Sequence, residues 1–142
     1  MRIILLLFCL LLGSCTFPKD PEGSFEEAKS TGLKVGLVEN PPYVIFEGKE
    51  ASGSEVKMLR EFAAREGLQL EFTRGSESEL VKELHNYHLH IVAGGMEKKT
   101  IWKKKAGLST PYDSRHVFLI PRGENKLLER LERYIFSKKK KG

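Results

Sequence analysis

Between Leu33 and Met96, short apolar segments alternate with amphipathic helical stretches through connections of only a few residues, and this alternation limits the fold more than any other feature. Leu33 to Val38 carries Leu33, Val35, Leu37 and Val38, a composition suited to a largely buried central strand. From about Gly53 to Glu66, Val56, Leu59, Phe62 and Ala63 recur at helical spacing, Gly67 supplies the stop, and Ser52 with Glu55 reads as a capping box. Strand Leu68 to Thr73 follows. A second capping box, Ser76 with Glu79, opens a helix whose buried stripe is Leu80, Val81, Leu84 and Tyr87, and Ile91 to Met96 is a third strand that runs into paired glycines. The order strand, helix, strand, helix, strand predicts an α/β fold with a mostly parallel sheet flanked by helices, and it puts ligands beyond the carboxyl ends of the strands.

Two segments lie at such ends. The first strand breaks into the turn Pro41-Pro42-Tyr43, and the third breaks at Gly94-Gly95. Tyr43 to Phe46 adds a short extended piece before a turn at Gly48. After Gly95 come a polar segment with Trp102, the stretch Leu108 to Tyr112, and an apolar strand from about His116 to Ile120. The last helix takes Asn125 as its N-cap, with Leu127, Leu128, Leu131 and Ile135 on one face and Glu129, Arg130, Glu132 and Arg133 on the other. A brief helix over Ser24 to Ser30, opening with Glu26 and Glu27, precedes the first strand.

The N-terminus sets a compartment. Arg2 precedes an uncharged apolar run from Ile3 to Leu12, too short to span a bilayer but suited to a signal peptide over residues 1–14. Leu12-Gly13-Ser14-Cys15 then resembles the bacterial lipobox, which implies lipidation at Cys15; an ordinary secretory leader with an incidental cysteine is the plainer alternative. Residues 15–32 read as lipidated cysteine and tether, 33–136 as the folded lobe and 137–142 as a basic tail. Cys9 falls in the discarded leader, so no cysteine pair remains for a disulfide.

Removal of the leader leaves 128 of the 142 residues, enough for one domain but not two. The mature charge is +4, from 23 basic and 19 acidic residues. Lys138 to Lys141 read as a solvated, disordered end, with attraction to anionic lipid headgroups as the sharper reading. No aromatic platform interleaves with the basic residues, so no nucleic-acid partner is expected. His85, His88 and His90 cluster in sequence, but no cysteine or dedicated carboxylate completes a metal set, and neither metal nor cofactor is expected. Nucleophile-elbow, Walker and zinc-protease motifs do not occur, so no enzyme activity is expected.

Taken together, Leu33 to Gly36, Pro41 to Tyr43, Gly53 to Glu55, Gly94 to Met96 and Leu108 to Tyr112 resemble, in order and spacing, the first lobe of the bacterial extracellular solute-binding proteins of family 3. The resemblance implies a single periplasmic-binding-protein type II lobe in a one-lobe lipoprotein form, because that family inserts a second lobe where only Asp113 to Arg122 stand here. It also implies a periplasmic, membrane-anchored solute-binding component of an ABC-type importer; Thr16 after Cys15 lacks the Asp that resembles an inner-membrane retention signal, which favours the outer membrane. Partners would be a small-molecule solute, an ABC permease and a second copy of the chain to supply the absent wall. A non-transport interaction or sensing module on the membrane surface is the alternative. A dehydratase-like enzyme is a third, by analogy alone.

The resemblance assigns ligand contacts to Glu39, Tyr43, Gly94, Gly95, Met96, Glu97, Trp102 and Tyr112. Amino-acid binders of the family place Ser or Thr where Glu97 stands and Arg where Trp102 stands, to clamp the ligand carboxylate. Glu repels a carboxylate and Trp offers one donor and a π face. Recognition of ordinary α-amino acids is therefore in doubt, and a Glu97 and Trp102 pair would suit a cationic ligand. Each residue also has a plainer role: Gly94-Gly95 in a tight turn, Tyr43 on the core rim, Trp102 as a packing anchor.

Overall fold

A computed structural model describes residues 20–142. The leader 1–14, Cys15 and the first part of the tether lie outside the described residues. The element order is α1 (Ser24–Thr31), β1 (Leu33–Leu37), β2 (Ile45–Glu47), β3 (Glu50–Ser52), α2 (Ser54–Glu66), β4 (Leu70–Arg74), α3 (Glu77–His85), β5 (Ile91–Glu97), a 3-10 turn (Ile101–Lys104), β6 (Gly107–Leu108), β7 (His116–Ile120) and α4 (Asn125–Lys141).

Five strands form one sheet in the order β4-β1-β5-β7-β6. The three strands of the alternating stretch are parallel, with Val35 opposite Phe72 on one side and Ile91 on the other. β7 returns antiparallel between β5 and β6. β2 and β3 make a separate hairpin. One sheet face carries α1, α2 and α4, where Phe25, Leu59, Phe62, Leu127, Leu131 and Ile135 pack on Leu33, Val35, Ile91 and Phe118. Burying a side chain such as Phe62 contributes about 1.5–3 kcal/mol. The other face takes α3, whose Leu80, Val81 and Leu84 meet Val92, Val117 and Leu119. The result is a helix, sheet, helix sandwich with a mostly parallel sheet, as the sequence predicts.

Local expectations fare unevenly. The Ser76 box forms as read, with Glu79 N–H donating to Ser76 Oγ at 3.3 Å and Ser76 N–H donating to the Glu79 carboxylate at 3.2 Å. The Ser52 box does not form. Gly53 occupies the N-cap with φ 113°, and the first α2 amides donate instead to backbone carbonyls, Ser54 to Pro42 and Glu55 to Tyr43. A Cβ at Gly53 would stand 2.4 Å from the Tyr43 carbonyl oxygen, so only glycine lets the Pro-Pro-Tyr turn close over the helix start. Tyr87 leaves the α3 stripe because the helix ends at His85, and Tyr87 itself turns the chain at φ 61°.

Three boundaries move. α1 buries Phe25 and Ala28 in the main core, so the packed body begins before residue 33. Glu124, not Asn125, precedes α4, and its buried carboxylate accepts from Glu22 N–H at 2.8 Å and Ser24 N–H at 3.2 Å, fastening the entry of α1 to the start of α4. The lysine tail is helical, because α4 continues through Lys141. Lysine is a good helix former, and cations favour the C-terminal end of the helix dipole.

Candidate functional site

The carboxyl ends of β1 and β5 meet at a bulge. β5 loses register with β7 between Val92 and Met96, and the two glycines sit in that break. Gly95 has φ 69°, and a Cβ there would stand 2.5 Å from the Tyr43 ring and 2.7 Å from Asn40 Nδ2. At Gly94 it would stand 2.7 Å from the Val38 Cβ. Both glycines are thus required by close approach of the β1 end, whether or not a ligand comes near.

Beneath the bulge lies a carboxylate. Glu55 is fully buried, at 0% exposure, and accepts hydrogen bonds from Gly95 N–H at 2.9 Å and from the Tyr112 hydroxyl at 2.7 Å. Burial raises its pKa above the ordinary carboxylate value, while the bonds from Gly95, Tyr112 and Gly94 pull it back down. Burial and then the Glu55 charge push the Tyr112 phenol well above its usual value. His116, 5% exposed, lies between two rings, its centroid 4.6 Å from Tyr43 and 6.0 Å from Tyr112. Its Nδ1 is 2.6 Å from the Asp113 carboxylate. Burial opposes ionisation of Asp113, but donation from Arg115 and His116 outweighs it and holds the pKa low.

In front of the bulge is an open cleft of about 390 Å³, lined by Asn40, Glu77, Gly94, Gly95, Met96, Glu97, Lys99, Thr100 and Ile101. Four of the eight residues expected at a ligand stand here: Gly94, Gly95, Met96 and Glu97. The other four do not line it. Glu39 turns to Arg74 at the end of β4, 2.6 Å away. Tyr43 lies against Gly95 and the His116 ring, and Tyr112 donates to Glu55. Trp102 donates its indole N–H to Glu77 and packs against the α3 core cluster. The structure therefore does not assemble a Glu97 and Trp102 pair for a cation, since Glu97 lies 3.6 Å from the Arg115 guanidinium and Trp102 braces the start of α3. The Gly95 amide is not free for a ligand, because it donates to Glu55.

Sequence reading missed Glu55 as a site residue and gave it a local capping role instead. It also missed Asn40, whose side-chain amide donates to the Gly94 carbonyl at 2.9 Å and links the two strand ends. No local pattern marks either pairing. Position alone offered a hint, since Asn40 precedes the Pro-Pro turn. Among the described residues no group of three or more His, Cys, Asp and Glu side chains could hold a metal ion. His90 instead accepts the Lys34 N–H at 2.9 Å, and His88 lies 2.8 Å from Glu83. No helix among the described residues is long and apolar enough to cross a membrane.

The profile of the bacterial extracellular solute-binding proteins, family 3, matches residues 33–142. The membrane-bound lytic murein transglycosylase F of Idiomarina loihiensis is 28% identical over 111 residues, covering 78% of this chain and 24% of that protein. The chain thus spans about a quarter of the length of that curated relative. Among solved structures, a point mutant of the arginine-bound form of domain 1 from TmArgBP superposes with a TM-score of 0.75 at 25% identity, covering 81% of this chain and 98% of that one. The ancestral amino acid-binding protein AncCDT-1, described as a precursor of cyclohexadienyl dehydratase, gives a TM-score of 0.70 at 13% identity over 82% of this chain and 92% of that one, which speaks to fold alone.

Proposed function

The chain belongs to the bacterial extracellular solute-binding proteins of family 3, and on that premise we propose that it is a solute-binding lobe that takes a small polar or amino-acid-like molecule at the carboxyl ends of β1 and β5. The cleft in front of the Gly94-Gly95 bulge carries this reading, because it joins polar groups from both strand ends, Asn40 and Glu97, to the apolar Met96 and Ile101. The structural relative made of a lone domain is in an arginine-bound form, which supports a single lobe as sufficient to hold a solute. In this reading the lobe performs no catalysis. It sits on the periplasmic face of a bacterial membrane, anchored through Cys15, with the outer membrane weakly preferred, and delivers solute to an ABC permease.

One lobe offers an open wall rather than a closing cleft, so affinity by itself is weak unless a second copy or a partner covers the solute. A thermal-shift screen of the purified chain against amino acids, amines and organic anions tests the proposal, since a ligand of the native state raises the melting midpoint. A concentration-dependent rise with one class supports it; no rise with any class counts against it. The transglycosylase relative favours a second reading, a non-transport module on the membrane surface, because the stretch like this one covers only 24% of that protein. Failure of the screen moves weight to that reading.

A further inference from the structure

α4 ends in a surface that neither the core nor the cleft uses. Its inner face is spent on the core through Leu127, Leu131, Tyr134 and Ile135. Phe136 is 50% exposed, one of two large hydrophobic side chains so placed among the described residues. Beside it stand Lys139, its ammonium 5.9 Å from the ring, Lys140, and Arg133, which pairs with Glu129 at 2.6 Å, and Lys141 follows at the helix end. Of the run Lys138 to Lys141, only Lys138 has a carboxylate partner among the described residues, Glu61 at 2.8 Å, and that pair is itself open to solvent. Because the run is helical rather than loose, its charges are presented on a fixed rod beside an aromatic ring.

We propose that this end of α4 docks on an anionic lipid surface, with Phe136 entering the headgroup layer and Lys139, Lys140 and Lys141 meeting lipid phosphates. Charge complementarity carries the choice of occupant: a cluster of cations with an adjacent exposed aromatic matches a negatively charged interface better than it matches a second copy of a chain whose own net charge is +5. The position of the chain entry agrees. Asp20 accepts the Lys126 N–H at 2.7 Å, so the N-terminal segment meets the body at the start of α4, while the lysines lie at its far end. The helix is 17 residues and thus about 25 Å long. With the N-terminal anchor of the proposed function, contact at both ends lays α4 along the membrane plane.

The test is co-sedimentation of the full chain with vesicles of phosphatidylcholine alone and of phosphatidylcholine with phosphatidylglycerol. Binding to the neutral vesicles reports any N-terminal anchor; the increment from phosphatidylglycerol reports α4. The expected increment is roughly fivefold in partition coefficient for each lysine engaged, and it vanishes at high salt. Replacing Lys139, Lys140 and Lys141 by Gln removes the increment without changing binding to neutral vesicles, replacing them by Arg retains it, and Phe136→Ser reduces it. Equal binding to both vesicle types overturns the proposal, as does an increment that the Gln variant keeps. Self-association of the chain that Phe136→Ser abolishes, without any lipid preference, gives the face to a second copy and overturns it as well.

Discussion

The Glu55 carboxylate accepts the Gly95 amide proton at 2.9 Å across 40 residues of sequence, tying the start of α2 to the bulge at the end of β5. Its other oxygen takes the Tyr112 hydroxyl at 2.7 Å, so a single buried side chain fixes three segments beneath the cleft. Glu55→Ala leaves both donors unpaired in a buried site. The expected cost is about 2–4 kcal/mol in urea denaturation. Glu55→Gln keeps an acceptor for one donor only and is expected to cost about half as much. A loss of less than about 0.5 kcal/mol for the alanine variant would contradict this account of the bulge.

Gly95 tests the close approach of Tyr43. With φ at 69° and the Tyr43 ring 2.5 Å from the point a Cβ would occupy, Gly95→Ala forces either the ring or the bulge to move. A destabilisation of about 1–3 kcal/mol is expected, with a changed near-ultraviolet signal from the tyrosines. Gly48 is the control, since it too has positive φ but nothing stands within 4 Å of its Cβ position; alanine there is expected to cost less and leave the tyrosine signal alone.

His90 sets a pH dependence. It is 1% exposed, its Nδ1 is used as an acceptor by the Lys34 N–H, and burial holds its pKa below the ordinary histidine value despite the nearby Glu27. The fold therefore refuses a proton that the unfolded chain accepts, and this contribution is lost as pH falls below about 6.5 toward the folded value. Glu55 acts in the opposite sense: its raised pKa gives a contribution that is full below about 4.5 and fades as pH rises through the folded value. His90→Gln keeps an acceptor but cannot titrate. Melting midpoints measured from pH 7.5 to 5 are expected to fall less steeply in that variant than in the parent chain.

Glu124 holds the lobe's first helix. Its carboxylate accepts from the Glu22 and Ser24 amides, at 2.8 and 3.2 Å. Glu124→Ala frees both, with an expected cost of about 1–3 kcal/mol. Hydrogen exchange is expected to quicken in α1 and at the start of α4 before anywhere else; uniform quickening would contradict the link.

How much of this was legible follows from how local each interaction is. The Ser76 and Glu79 box lies within one helical turn, so its residues announce it. The Ser52 and Glu55 pair has the same spacing, but partners 40 and 57 residues away claim Glu55, and no window of a few residues contains them. The parallel strands are readable because Leu33, Val35, Leu37 and Val38 in one segment and Ile91, Val92 and Ala93 in the other are apolar, a composition suited to largely buried strands. Resemblance puts Trp102 at a ligand, whereas its indole partner, Glu77, comes from the start of α3. Helical continuation of the lysine tail is within reach of propensity alone, whereas its place at the chain terminus favours a solvated, disordered end.

The central claim is that solute binds in front of the Gly94-Gly95 bulge, and calorimetric titration of the chain and of its Gly94→Val variant tests it most directly. The account predicts weak, saturable heat for at least one amino acid, amine or organic anion with the parent chain. It predicts none with Gly94→Val, in which the side chain displaces Val38 and the lip of the cleft, provided that the variant still shows a cooperative melt. Binding that survives unchanged in the folded variant, or no heat from any of these solutes with the parent, would contradict it.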